Sequence, residues 1–277
     1  MAGLTLTHGD QQVLLRPQLG GAVERFTWRD IDLLRPAGPD AGVRHMGIFP
    51  LLPYANRIGN GQLPGHPPLA QNLPPEPHSL HGFGWQRPWQ IDISSERQAR
   101  LTLAHVADAD WPFDCSGTFD VLLAAGGLHL RLGVRHDGPG SMPAGLGFHP
   151  FFPTDSATLL DAHWSGMWET GPDHLPRQHI AAVPAAGMAL ADWHIDHCFT
   201  AWDGVARLHY RTHIVTISAD CPFLHCFKPA DGRPFIALEP VSHMPNAHQM
   251  APRQLRQLGH GEQFCITMHI QPQARPA

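Results

Sequence analysis

The stretch TFDVLLAAGGLHLRLGV (118–134) decides the fold class. Two apolar segments flank Gly126-Gly127, and glycine supplies the positive φ angles of a tight turn between antiparallel strands. A β-hairpin is predicted. Outward from it, LTLTHGDQQVLLRP (4–17) offers two strands around Gly9-Asp10, and AVERFTW (22–28) offers another. RLHYRTHIVTISA (207–219) alternates with the period of two that a half-buried strand shows, and EQFCITMHIQ (262–271) makes a closing strand. The 28 prolines and 27 glycines are spread along the chain instead of gathering in one linker, so they punctuate turns. The expectation is an all-β chain in a single domain over residues 1–277, with only Arg253 to Leu258 briefly helical.

Composition narrows the partners. A formal net charge of -5 argues against nucleic acid, which leaves a footprint of clustered Lys and Arg. The opening MAGLTLTHGDQQVLL carries no basic segment followed by an apolar core, and no stretch approaches the roughly 18 apolar residues of a membrane span. A soluble, cytoplasmic protein is expected. Five cysteines without CxxC spacing read as reduced, mostly buried thiols. The 21 histidines exceed what any one site can use, so each candidate needs a local reason.

Four polar clusters interrupt the strands: FPLLPYANRIGNG (49–61), HSLHGFGWQRPW (78–89), GLGFHPFFP (145–153) and FIALEPVSHMPNA (235–247), with a weaker fifth in WHIDHCFTAWDG (193–204). Such residues often build pockets at strand ends. Asn56 and Arg57 could together hold sugar hydroxyls, or be a turn Asn and a surface Arg. His81 lies near Phe83, Trp85 and Trp89, which could stack on a sugar or form a structural cluster. His149 in GFHPFF is either a core imidazole or a site residue. Glu239 follows the apolar run FIAL and is partly desolvated unless it ends at a pocket or faces solvent. Asp196 could orient a hydroxyl or start a turn.

Taken in order, PLLPYANRIGNG, HSLHGFGW, GFHPFF, IDHCFTAWDG and FIALEPVSHMPNA resemble the aldose 1-epimerase, or galactose mutarotase-like, family over roughly residues 47–247. The resemblance implies a galactose mutarotase-like antiparallel β-supersandwich with a sugar cleft, and no metal or cofactor. It places Arg57, with Asn56 beside it, on the family's sugar-binding arginine, and His81 on the binding histidine. His149 falls on the acid, Asp196 on the aspartate that holds hydroxyls, and Glu239 on the base. HGFGW replaces the HGG turn of the best-known galactose mutarotases, so the chain looks closer to a compact bacterial branch.

The implied activity is interconversion of the anomers of a free aldose by ring opening and reclosure. Reference pKa values of about 6.5 and 4.3 make a protonated His and an ionised Glu available together near neutrality. A hexose-phosphate epimerase of the same fold would need a cationic pocket; Lys228 is the only lysine, and Arg87 and Arg233 are the candidates. A non-catalytic sugar-binding module is a second rival. A metal hydrolase is suggested by His78/His81 and His194/His197, but i, i+3 on a strand points to opposite faces and no HExxH is present.

Overall fold

The computed structural model describes residues 3–38, 41–191 and 193–275, so the first two residues of the opening segment and the last two of the terminal QPQARPA lie outside it. Two large antiparallel sheets face each other. The first, 11-stranded, runs in the order Leu4–His8, Gln11–Arg16, Ala22–Trp28, Ile48–Leu51, Gly147–Pro153, Phe235–Val241, Phe223–Lys228, Ile195–Thr200, Gly166–Thr170, Pro176–Ala181, with Ile31–Asp32 paired to Ala22–Trp28. The second, 9-stranded, is centred on Gln263–Ala274, Gly127–His136 and Cys115–Ala124. The architecture is mostly β and antiparallel, as expected. No helix of the described residues is long and apolar enough to cross a membrane.

The predicted hairpin forms, pairing Cys115–Ala124 with Gly127–His136. Its two-residue turn is Ala125-Gly126, one position earlier than expected, because Gly127 already pairs with Ala124. Gly127 still needs to be glycine: its φ is +120° and a Cβ would lie 2.2 Å from the Ile270 carbonyl oxygen. On Cys115–Ala124, Cys115, Gly117, Phe119, Val121 and Leu123 alternate inward. LTLTHGDQQVLLRP and AVERFTW give the strands expected of them, and RLHYRTHIVTISA folds back as Val205–His209 and His213–Ala219.

The chain is less helical at 253–258 than its sequence suggests. The α-helical turn is Ala247–Met250, followed by a 3-10 turn at Pro252–Gln254, and Arg256–Gly259 is drawn into pairing with Ser141–Ala144. The five cysteines are free, with only Cys265 not fully buried.

Gly147–Pro153 and Phe235–Val241 show how the sandwich positions a site. Both are apolar on each face, which reads as continuous hydrophobic sequence. Phe148, Phe152, Ile236 and Leu238 enter the core between the sheets, while Phe151, Phe235, Ala237 and Val241 belong to a second cluster on the other face. Because side chains alternate along a strand, His149 and Glu239 project to that second face.

Candidate active site

The register of five neighbouring strands builds the site. His149 pairs with Phe49. Gly147 pairs with Val241 and Phe151 with Ala237, so His149 falls opposite Glu239 midway between them. Glu239 pairs in turn with His225, and His225 with Cys198. Residues directly opposite each other share a face, so Phe49, His149, Glu239, His225 and Cys198 form one row across the sheet. Asp196 lies two residues along from Cys198, on the same face.

Phe49, His149, Glu239 and His225 of this row floor a cavity of about 480 Å³ whose lining also includes Asn56, Arg57, His81 and Asp196. All six sequence-predicted site residues therefore meet in one place. The volume is in the range of small-molecule pockets. His149 Nε2 is 3.3 Å from Glu239 Oε1. The His149 ring is held between Phe49, at a centroid distance of 4.5 Å, and Phe151, stacked at 4.4 Å. His149 Nδ1 and Glu239 Oε2 are buried without a hydrogen-bond partner.

His81 is fixed by its backbone. Its φ is +62° and that of Asn56 is +58°. His81 N–H donates to the Asn56 carbonyl at 2.8 Å, while Asn56 N–H donates to His81 Nδ1 at 3.0 Å. The neutral ring must then carry its proton on Nε2. Gly82 completes the turn at φ +66°, where a Cβ would lie 2.1 Å from the Leu52 carbonyl oxygen. Arg57 reaches the cavity paired with Glu76, Nε and Nη2 donating to Oε2 at 3.2 and 3.1 Å.

The sequence misses two of these groups. Glu76 lies in a Pro-rich loop with no strand pattern. His225 looks like any strand histidine in FLHCFK until the register sets it beside Glu239; its Nε2 donates to Asp196 Oδ1 at 2.8 Å.

Some expectations need correction. Of the three aromatics near His81, only Trp85 lines the cavity. Phe83 stacks on His105 at 4.1 Å, and Trp89 is wholly buried in the core, donating from Nε1 to Gly84 O at 2.9 Å. His78 ties loops together, accepting from Asn60 N–H and donating to the Asp173 carbonyl. Arg87 is absorbed by Asp108, Asp110 and His105 and does not line the cavity; Arg233 does.

Electrostatics distinguish the members of the row. Burial pushes the Glu239 carboxyl up to about 7, against the pull of His225 and Arg57. Burial, with the charges on His225 and Arg35, holds His149 well below the usual histidine range. His149 and Glu239 thus each resist charge, burial being the first cause for both. His225 behaves in the opposite way. Burial depresses it, but the bond to Asp196, the Cys198 thiol and the charges on Glu239 and Asp196 outweigh that and raise it to about 10. Asp196, although desolvated, is held at about 2, mainly by His225. Buried His225 and half-buried Asp196 form an ion pair at neutral pH.

His81, His149 and Glu239 also bring three ligand-type atoms within 4.8 Å of one another. The set fits a metal ion poorly: the Nδ1 lone pair of His81 is taken by the Asn56 amide, which leaves Nε2 protonated and unable to coordinate.

Comparison with known proteins shows the family to which this fold belongs. Residues 3–270 match the aldose 1-epimerase family. The uncharacterized protein YphB of Escherichia coli strain K12 is 30% identical over 270 residues, covering 88% of this chain and 89% of YphB. The chain belongs to the aldose 1-epimerase family. The crystal structure of an E. coli K12 protein provisionally assigned as an aldose 1-epimerase matches with a TM-score of 0.90 at 26% identity, over 99% of each chain. A galactose mutarotase-like protein from Clostridium acetobutylicum shares the fold with a TM-score of 0.86 at 16% identity, over 99% of this chain and 95% of that one.

Proposed function

We propose that the protein is a mutarotase, interconverting the α and β anomers of an aldose with an unsubstituted anomeric hydroxyl. The observation that carries this reading is the 3.3 Å contact between His149 Nε2 and Glu239 Oε1 at the cavity floor. The ring oxygen and the anomeric oxygen of a pyranose are bonded to one carbon, so an acid and a base that touch each other can address both at once.

The ionised Glu239 carboxylate removes the proton of the anomeric hydroxyl. As the carbonyl forms, the bond from the anomeric carbon to the ring oxygen breaks, and His149 delivers its proton to that oxygen. The open-chain aldehyde turns about the adjacent carbon–carbon bond. The hydroxyl then adds to the opposite carbonyl face, returning its proton to His149 while Glu239 reprotonates the new anomeric oxygen. Protons and electrons balance, and no oxidant is consumed.

The resistance of both groups to charge suits this cycle, because neither ion persists without a partner. A sugar hydroxyl donating to Glu239 stabilises the carboxylate, and the carboxylate in turn favours a protonated His149 at 3.3 Å. The His81 Nε2–H donor and the Arg57–Glu76 pair, with Asn56 and Asp196, orient hydroxyls and stabilise charge near the ring oxygen. Each positioned acid or base contributes on the order of 10²–10⁴-fold in rate. Exchange NMR of equilibrated aldoses tests the activity: the protein should accelerate anomer interconversion, and binding without acceleration across a panel of aldoses would make it a sugar-binding module instead.

A further inference from the structure

The cavity holds more cationic groups than the proposed chemistry uses. Arg35, Arg44 and Arg233 line it together with Arg57. Among the described residues its lining carboxylates are already engaged: Glu76 with Arg57, Asp196 with His225 and Glu239 with His149. Asp231, the partner of Arg233, is exposed and lies outside the lining.

Arg35 has a defined place in this wall. Its guanidinium carbon sits 3.8 Å over the Phe151 ring and 4.5 Å over Phe235, and that of Arg233 is 5.1 Å from the same Phe235 ring. Nη2 donates to the Arg44 carbonyl at 2.7 Å, holding the segment that carries Arg44 against the cavity. Two guanidinium groups thus meet one aromatic ring, Phe235, and no described carboxylate of the lining is left to pair with Arg35. Burial and the charge of Arg233 lower Arg35 to about 10, consistent with a cation lacking a counter-charge.

The position of Arg35 relative to His149 says which part of a sugar it meets. His149 stacks on Phe151, and Phe151 carries Arg35, so the guanidinium is two ring contacts from the acid. His149 addresses the ring oxygen. The other carbon on that oxygen bears the sugar's exocyclic carbon, whose substituent therefore starts beside His149, and Phe151 with Arg35 over it forms a cationic wall it can turn to. Planar guanidinium groups match phosphate and carboxylate oxygens with paired hydrogen bonds.

We propose that the substrate is an aldose bearing an anionic group, phosphate or carboxylate, on its exocyclic carbon, and that Arg35 and Arg233 hold that group. This rests on the mutarotase reading, which orients the sugar. The test compares kcat/KM for anomer interconversion of D-glucose, D-glucose 6-phosphate and D-glucuronate, in the wild type and in Arg35→Gln and Arg233→Gln. At least one anion should exceed glucose by about tenfold or more, as the loss of a charge-assisted hydrogen bond would imply. That preference should shrink with ionic strength and in both variants; which anion is preferred separates phosphate from carboxylate. Glucose served as well as both anions, or variants that slow all three sugars alike, would overturn the anion site. Arg233 is exposed, so its variant tests the idea even if Arg35→Gln folds poorly. If none of the three sugars is turned over, the mutarotase reading falls, and calorimetric titration then decides the anion site alone: Arg35-dependent binding of an anionic sugar sustains it, and no such binding removes it.

Discussion

His225 donates from Nε2 to Asp196 Oδ1 at 2.8 Å, and the ion pair so formed stands next to Glu239 in the sheet. A fixed cation beside a buried carboxyl favours its ionised form. His225 is therefore placed to limit how far burial can raise Glu239.

His225→Gln removes that cation while retaining a group that can hydrogen-bond Asp196. The Glu239 pKa should rise, and because the base acts ionised, the acidic limb of kcat/KM should move to higher pH. The rate should fall several-fold at mildly acidic pH and recover toward the wild-type value in alkali. A pH–rate profile with an unmoved acidic limb would remove His225 from this role.

Glu239→Gln separates activity from stability. The folded-state pKa of about 7 lies above the ordinary 4.5. The folded protein thus binds more protons than the unfolded chain between these values, and the wild type loses stability as pH rises through that window. The substitution removes this loss. The mutant should be more stable than the wild type above pH 7, by about 3 kcal/mol, and similar to it below the ordinary carboxyl range. Denaturant unfolding at acidic and alkaline pH checks this; a mutant less stable at both would contradict the desolvation argument.

Chelation should leave activity intact, since every step proposed is a proton transfer and His81 is turned to donate, not to coordinate. Dialysis against a strong chelator followed by exchange NMR tests this. Activity lost on dialysis and restored by one divalent ion would put His81, His149 and Glu239 around a metal.

Much of the fold was legible because its strands announce themselves locally. TFDVLLAAGGLHLRLGV carries both its strands and its turn, and displacement of the turn by one residue reflects how Gly127 is caught under the Ile270 carbonyl. The expected helix was displaced because Arg256–Gly259 finds a distant strand partner, which no local window contains. His149 and Glu239 stood out as candidates because each interrupts an apolar run, and the family resemblance alone gave them their roles. His225 could not, since only the pairing of Phe223–Lys228 with Phe235–Val241 gives it a neighbour. Arg35 was equally silent: its meaning comes from lying over Phe151, far along the chain. Trp89 misled because proximity in sequence to His81 does not survive the turn at Gly82, which sends it into the core.

The most direct test of the proton-transfer pair is the anomer exchange rate of His149→Asn measured across pH beside the wild type. Asparagine keeps a polar side chain but cannot deliver a proton as imidazolium, so the catalysed rate should fall by about 10²-fold or more. Sugar binding by calorimetry should survive better than turnover, and the basic limb of the remaining activity should flatten. A mutant that keeps the full rate and the same basic limb would contradict the assignment of His149 as the acid.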